Sequence, residues 1–167
     1  MARAKGTIII SQWNTMIEGL QASPKEFFDA VEKAIESKSV PDTKHSRVDW
    51  KEGGLLSAKR EYLRIRRKEH AFDICGAPFG NGFFVSCWLG EVPSGFVALM
   101  LSIPVIGFLF ERFVKPSTYY KMDTAAMFQS LIHSAVMQVV DDMTKAKGLR
   151  ALSESERKPK MRDFFQL

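Results

Sequence analysis

Apolar positions change their spacing several times along this 167-residue chain, and each change predicts an element. Near the start the spacing is helical. After the β-branched run Ile8-Ile9-Ile10, Ser11 can cap a short helix that puts Trp13, Met16, Ile17 and Leu20 on one side. The next helix has a better-marked start. Ser23-Pro24-Lys25-Glu26 has the form of a capping box, with Ser at the N-cap, Pro at the first helical position and Glu at the third. Phe27, Phe28, Val31, Ala34 and Ile35 then share one face, and Val40-Pro41-Asp42 ends the run. Helices are therefore expected within 11–38.

From His45 to Gly90 the period is two. Val48 and Trp50 alternate with Arg47, Asp49 and Lys51, until Gly53-Gly54 interrupts. Leu63 and Ile65 alternate with Tyr62, Arg64 and Arg66; Phe72 and Ile74 alternate with Asp73 and Cys75. This pattern predicts an antiparallel β-meander of about four strands over 45–90. A two-residue turn at Lys68-Glu69 sets Leu63 opposite Ile74, Ile65 opposite Phe72 and Arg64 opposite Asp73. A second turn at Asn81-Gly82, the strongest hairpin signal in the chain, sets Ile74 opposite Leu89 and Cys75 opposite Trp88. Leu63, Ile65, Phe72, Ile74, Val85, Cys87 and Leu89 then fall on one face. Tyr62, Arg64, Arg66, Asp73, Cys75, Phe84, Ser86 and Trp88 fall on the other. A slip by one residue would mix the two sets, which a half-buried sheet resists.

Beyond the meander the pattern loses its polar half. Residues 92–110, VPSGFVALMLSIPVIGFLF, carry no charge. An amphipathic helix is then expected over 123–147, capped by Asp123, with Phe128, Leu131, Ile132, Ala135, Val139 and Met143 along one side. Lys145, Lys147 and Gly148 suit its end. Gln129, Ser130 and His133 form a polar strip at the edge of its packed face, and Asp141-Asp142 point to different sides. The tail 149–167 is mixed and charged, with Pro159 opening a short final helix. The whole is expected to be one α+β domain: N-terminal helices, the meander, the strongly apolar segment 92–110 and a long C-terminal amphipathic helix.

Composition narrows the function. A chain 46% hydrophobic and 26% charged is not wholly disordered. Two cysteines are too few for a disulfide scaffold or a four-thiolate zinc site. The start lacks a secretory signal, so an intracellular location is expected, in the cytoplasm or at the cytoplasmic face of a membrane. A net charge of +5 suits an acidic or anionic partner. No HExxH, CxxC or phosphate loop is present, and no cofactor, metal or small-molecule substrate is expected. Cys75 is the weak candidate nucleophile, with Asp73 near it on the same strand face. None of His45, His70 and His133 has a sequence reason to lie beside it as a base. A thiol enzyme is the least expected class.

Two segments suggest partners instead. In the run 59–68, KREYLRIRRK, alternation places Arg60, Tyr62, Arg64, Arg66 and Lys68 on one face. Such a stripe can meet phosphates of nucleic acid or anionic lipid, or it can be a solvated face with Asp73 neutralising Arg64. The segment 92–110, as a helix, would run roughly 28 Å, near the thickness of a bilayer core. Phe96, Leu99, Leu101, Ile106 and Phe108 would contact lipid, with Trp88 at the interface. Arg112, Lys115 and Lys121 follow it, while 72–91 has no basic residue. The positive-inside rule then places its C-terminal side in the cytoplasm. A plain crossing would carry 91 residues of foldable chain across without a signal. Two courses remain. The segment enters the membrane without crossing, broken near Pro104, or it is the buried centre of a soluble domain. The first makes a non-enzymatic membrane-associated adaptor with a protein partner or anionic lipid surface. The second makes a soluble binding or assembly protein whose basic strand meets nucleic acid or an acidic protein.

Overall fold

In the computed structural model, which describes residues 8–51, 59–92 and 118–161, the chain opens on a strand. This is β1, Ile8–Glu18, and it corrects the helix expected from Ser11. Trp13 and Ile17, four residues apart, share a face in a helix and in a strand alike. Met16 is the residue that tells the two apart. Trp13 and Ile17 are buried, whereas Met16 is 41% exposed. The β-branched Ile8, Ile9, Ile10, Thr15 and Ile17 favour extended backbone. Pairing with a distant strand from Ile8 to Glu18 then overrides the helical spacing. The N-terminal helices reduce to one, α1, Pro24–Ser37. Its capping box is as expected. The Glu26 amide donates to Ser23 Oγ at 3.1 Å, and the Ser23 amide donates to the Glu26 carboxylate at 3.2 Å. Phe27, Phe28, Val31, Ala34 and Ile35 are all buried.

The meander follows as β2 (Lys44–Lys51), β3 (Lys59–Arg67), β4 (His70–Phe79) and β5 (Gly82–Glu91). β1 adds beside β5, and a short β6 (Lys160–Met161) adds beside β1. The sheet therefore has six antiparallel strands, in the order β2-β3-β4-β5-β1-β6, instead of four. The β3–β4 register is the expected one, with Leu63 opposite Ile74, Arg64 opposite Asp73 and Ile65 opposite Phe72. The β4–β5 register differs. Ile74 pairs with Cys87 instead of Leu89, and Cys75 pairs with Ser86 instead of Trp88. The turn is Gly80-Asn81, and Gly80 takes the positive φ of +58° that favours glycine at the first turn position. Gly82 lies inside β5, where a Cβ would sit 2.7 Å from the Ile17 carbonyl of β1. It serves the approach of two strands and not the turn. The displacement is an even number of residues, so the face assignment survives. Leu63, Ile65, Phe72, Ile74, Val85, Cys87 and Leu89 are all buried.

Both long helices cover that face. α2 spans Tyr119–Ala146, so it begins four residues before the expected start. Thr118, not Asp123, is its N-cap: Thr118 Oγ1 accepts from the Lys121 amide at 3.3 Å. Its end is as expected, at Lys147, with Gly148 at φ +64°. Phe27 of α1 meets Phe83 edge-on at 5.4 Å, and Phe128 of α2 meets Phe72 edge-on at 6.2 Å. Each such fully buried side chain contributes roughly 1.5–3 kcal/mol. After α2 the chain returns through buried Leu152 and a single turn, α3 (Glu154–Arg157), to β6. Pro159 thus precedes a strand and does not open a helix. Gly53-Gly54, the apolar residues Phe96, Leu99, Leu101, Ile106 and Phe108, and the C-terminal Phe164 and Phe165 lie outside the described residues.

Candidate functional site

Strand directions define the two ends of the sheet. Ile8 pairs with Glu91, which also pairs with His70; Arg67 pairs with His70, and Lys44 pairs with Arg66. These residues lie together at one end. The Val92 amide donates to the Glu69 carbonyl there at 2.7 Å. Lys121 Nζ stands 3.6 Å from the Glu91 carboxylate, which brings the first turn of α2 to the same end. Val92 and Thr118, the two flanks of the apolar segment, therefore lie at the same end of the fold. β5 and α2 also share one core: Phe128 packs on Phe72 and His70 of β4, and Val85 and Leu89 of β5 belong to the same buried cluster. A single membrane crossing between them would pull that core apart.

Four large apolar or aromatic side chains are exposed at this end. Tyr119 and Tyr120 are 78% and 77% exposed, and Ile8 and Ile9 are 42% and 44% exposed. The register shifts between Ile9 and Ser11, which turns Ile10 into the core and leaves the two preceding isoleucines outside. Lys44, Arg66 and Lys68 are exposed nearby, and so are Asp42 and Asp123, so the charge there is mixed.

The basic strand is only partly available. Arg64 makes a bidentate pair with Asp73, Nε to Oδ1 and Nη2 to Oδ2 both at 2.7 Å. That pair raises the guanidinium pKa further and neutralises its charge. Tyr62 is half-buried, and burial pushes its hydroxyl pKa up. Arg60, Arg66 and Lys68 stay exposed. Trp88 is half-buried on the same open face, across from Asp73. Cys75 is fully buried, and burial raises its thiol pKa, against the opposing influence of Arg60. A thiol held protonated is poorly suited to nucleophilic attack. Cys75 and Cys87 are both free.

A second constellation has little signal in the sequence. Gln129 and His133 of the polar strip are buried, the first against β1 and the second under the returning C-terminal chain, while Ser130 stays exposed. Ser11 Oγ donates to Gln129 Oε1, and His133 Nε2 donates to the Arg157 carbonyl at 2.7 Å. Trp13 sets its ring edge against His133 at 5.2 Å and donates from Nε1 to the Glu156 carbonyl at 2.6 Å. Arg157 clamps Asp141 through two bonds of 2.6 and 2.8 Å. Burial lowers the His133 pKa, and among the described residues its Nδ1 has no hydrogen-bond partner. A groove of about 610 Å³ runs beside it, lined by Gln129, His133, Met137, Asp141, Arg157 and Pro159 among others. The one readable signal for this strap is the capping box of Ser153 and Glu156, both halves of which form.

Among the described residues, no group of three or more His, Cys, Asp or Glu side chains could hold a metal ion. Among them, too, no helix is long and apolar enough to cross a membrane. Comparison with known protein families, curated proteins and solved structures finds no match for this chain.

Proposed function

We propose that the protein is a non-enzymatic membrane-associated adaptor or accessory protein, held at the cytoplasmic face of a membrane by segment 92–110. One observation carries this reading: Val92 and Thr118 lie at the same end of one packed core. Both flanks of the segment must then stay on one side of a bilayer, which favours a segment that enters and returns near Pro104. Its eleven Leu, Ile, Val and Phe residues supply the driving force. They contribute roughly −3 to −6 kcal/mol on an insertion scale. Arg60, Arg66 and Lys68 remain available to a protein partner or an anionic headgroup.

The test is the double variant Leu101→Lys with Ile106→Lys. Each Lys near the centre of an inserted helix costs roughly 2.5–3.5 kcal/mol. The expected outcome is release into the soluble fraction with native circular dichroism, because sheet and helices have their own packed faces. An insoluble variant without helix signal would instead mean two unpaired charges buried in a core. That result supports the second reading, a soluble binding or assembly protein whose strand 59–68 meets nucleic acid or an acidic protein. The exposure of Arg66 and Lys68 is what favours it.

A further inference from the structure

We infer that the end of the sheet bearing Ile8, Ile9, Tyr119 and Tyr120 is itself a bilayer-docking surface. The inference rests on the membrane reading above and adds a second, independent contact made by the folded domain. The occupant follows from where the chain leaves. Both ends of the 25 residues between Val92 and Thr118 attach at this end. The apolar segment begins at Val92 itself, so on that side no linker holds a bilayer away from the fold. Any bilayer that takes up the segment is therefore drawn against these side chains. Their chemistry fits that position. A tyrosine has an apolar ring and a polar tip, and it suits the boundary between headgroups and hydrocarbon. Two tyrosines more than three-quarters exposed on the first turn of α2, and two isoleucines more than two-fifths exposed at the start of β1, present that character at one end of the sheet. Lys68 stands at its margin, where its charged tip can reach phosphate, while Lys121 is engaged by Glu91. The opposite end of the sheet carries Phe79, 70% exposed, and segment 92–110 does not leave from it. It is an internal control.

The experiment uses the full chain with mixed phosphatidylcholine–phosphatidylserine vesicles, read by flotation. Ile8→Thr, Ile9→Thr, Tyr119→Ser and Tyr120→Ser together should weaken partitioning roughly tenfold, with circular dichroism unchanged. Separately, brominated lipid should quench the added indole of a Tyr120→Trp variant and spare that of a Phe79→Trp variant. This second measurement decides alone if the fourfold variant loses its native spectrum. Equal flotation of wild type and folded fourfold variant overturns the inference, and so does equal quenching at the two ends. Failure of the wild type to float overturns the membrane reading as well, so the two failures are told apart.

Discussion

The two faces of the sheet are built by the same strands and held by different chemistry. Toward α1 and α2, Leu63, Ile65, Phe72, Ile74, Phe83, Val85 and Leu89 are all 0% exposed. On the other face Ala71, Cys75 and Ser86 are buried, Tyr62, Arg64, Asp73, Phe84 and Trp88 are half-buried, and Arg64 pairs with Asp73. Strand alternation permits both. The consequence for stability is unequal. Apolar burial is nearly all gain, whereas a part-buried ion pair mostly offsets its own desolvation. The helix-covered face therefore contributes the larger share of the stability, and the exposed polar groups sit on the other.

The largest effect should come from breaking the covered face at its centre. Phe72 is fully buried and meets Phe128 of α2 edge-on. Phe72→Ala should cost about 3–5 kcal/mol in urea unfolding, through lost burial and the cavity left between sheet and helix. A loss below about 1 kcal/mol would mean that α2 is not seated on this face.

This covered face is legible in the sequence because its signals are local or periodic. The capping box at Ser23 and Glu26 needs only four residues, and the β3–β4 register needs only a hairpin. Sequence reasoning fails where distant chain decides. Trp13 and Ile17 fit helix and strand equally, and only the partner β5 resolves the choice. Asn81-Gly82 looks like a turn until β1 occupies the space beside Gly82. His133 looks like a rim residue until Arg157, 24 positions later, covers it. The candidate site divides the same way. The basic stripe can be read from alternation, but the end carrying Tyr119 and Tyr120 exists only once β1, β5 and α2 are brought together.

A smaller effect should come from the open face's ion pair. Arg64 and Asp73 side chains are 19% and 17% exposed, so removing one partner leaves the other charge poorly solvated. Arg64→Met or Asp73→Leu should each cost about 1–3 kcal/mol. Arg64→Met with Asp73→Leu should lie closer to wild type than the sum of the two single changes, because the double change removes the desolvated charges as well as their bond. A double-mutant cycle by urea unfolding measures this. Additive losses would show that the two side chains act separately, and the open face would then be held by contacts other than this pair.

The smallest effect should be at Met16, and it sharpens the contrast most directly. Met16 lies on β1 opposite Phe84, and strand alternation sets it on the same face as Asn14 and Glu18, the open one. Its neighbours Trp13 and Ile17 turn toward the helices and are buried, while Met16 keeps 41% of its surface in water. Met16→Thr removes an exposed thioether and installs a β-branched residue that suits a strand. The two changes oppose each other, and the unfolding free energy should stay within about 0.5 kcal/mol of wild type. Thermal or urea unfolding reads this beside Phe72→Ala in the same buffer. A loss at Met16 above about 1.5 kcal/mol would show that apolar contacts cover the open face. The sheet would then be packed on both sides, and the contrast between its two faces would fall.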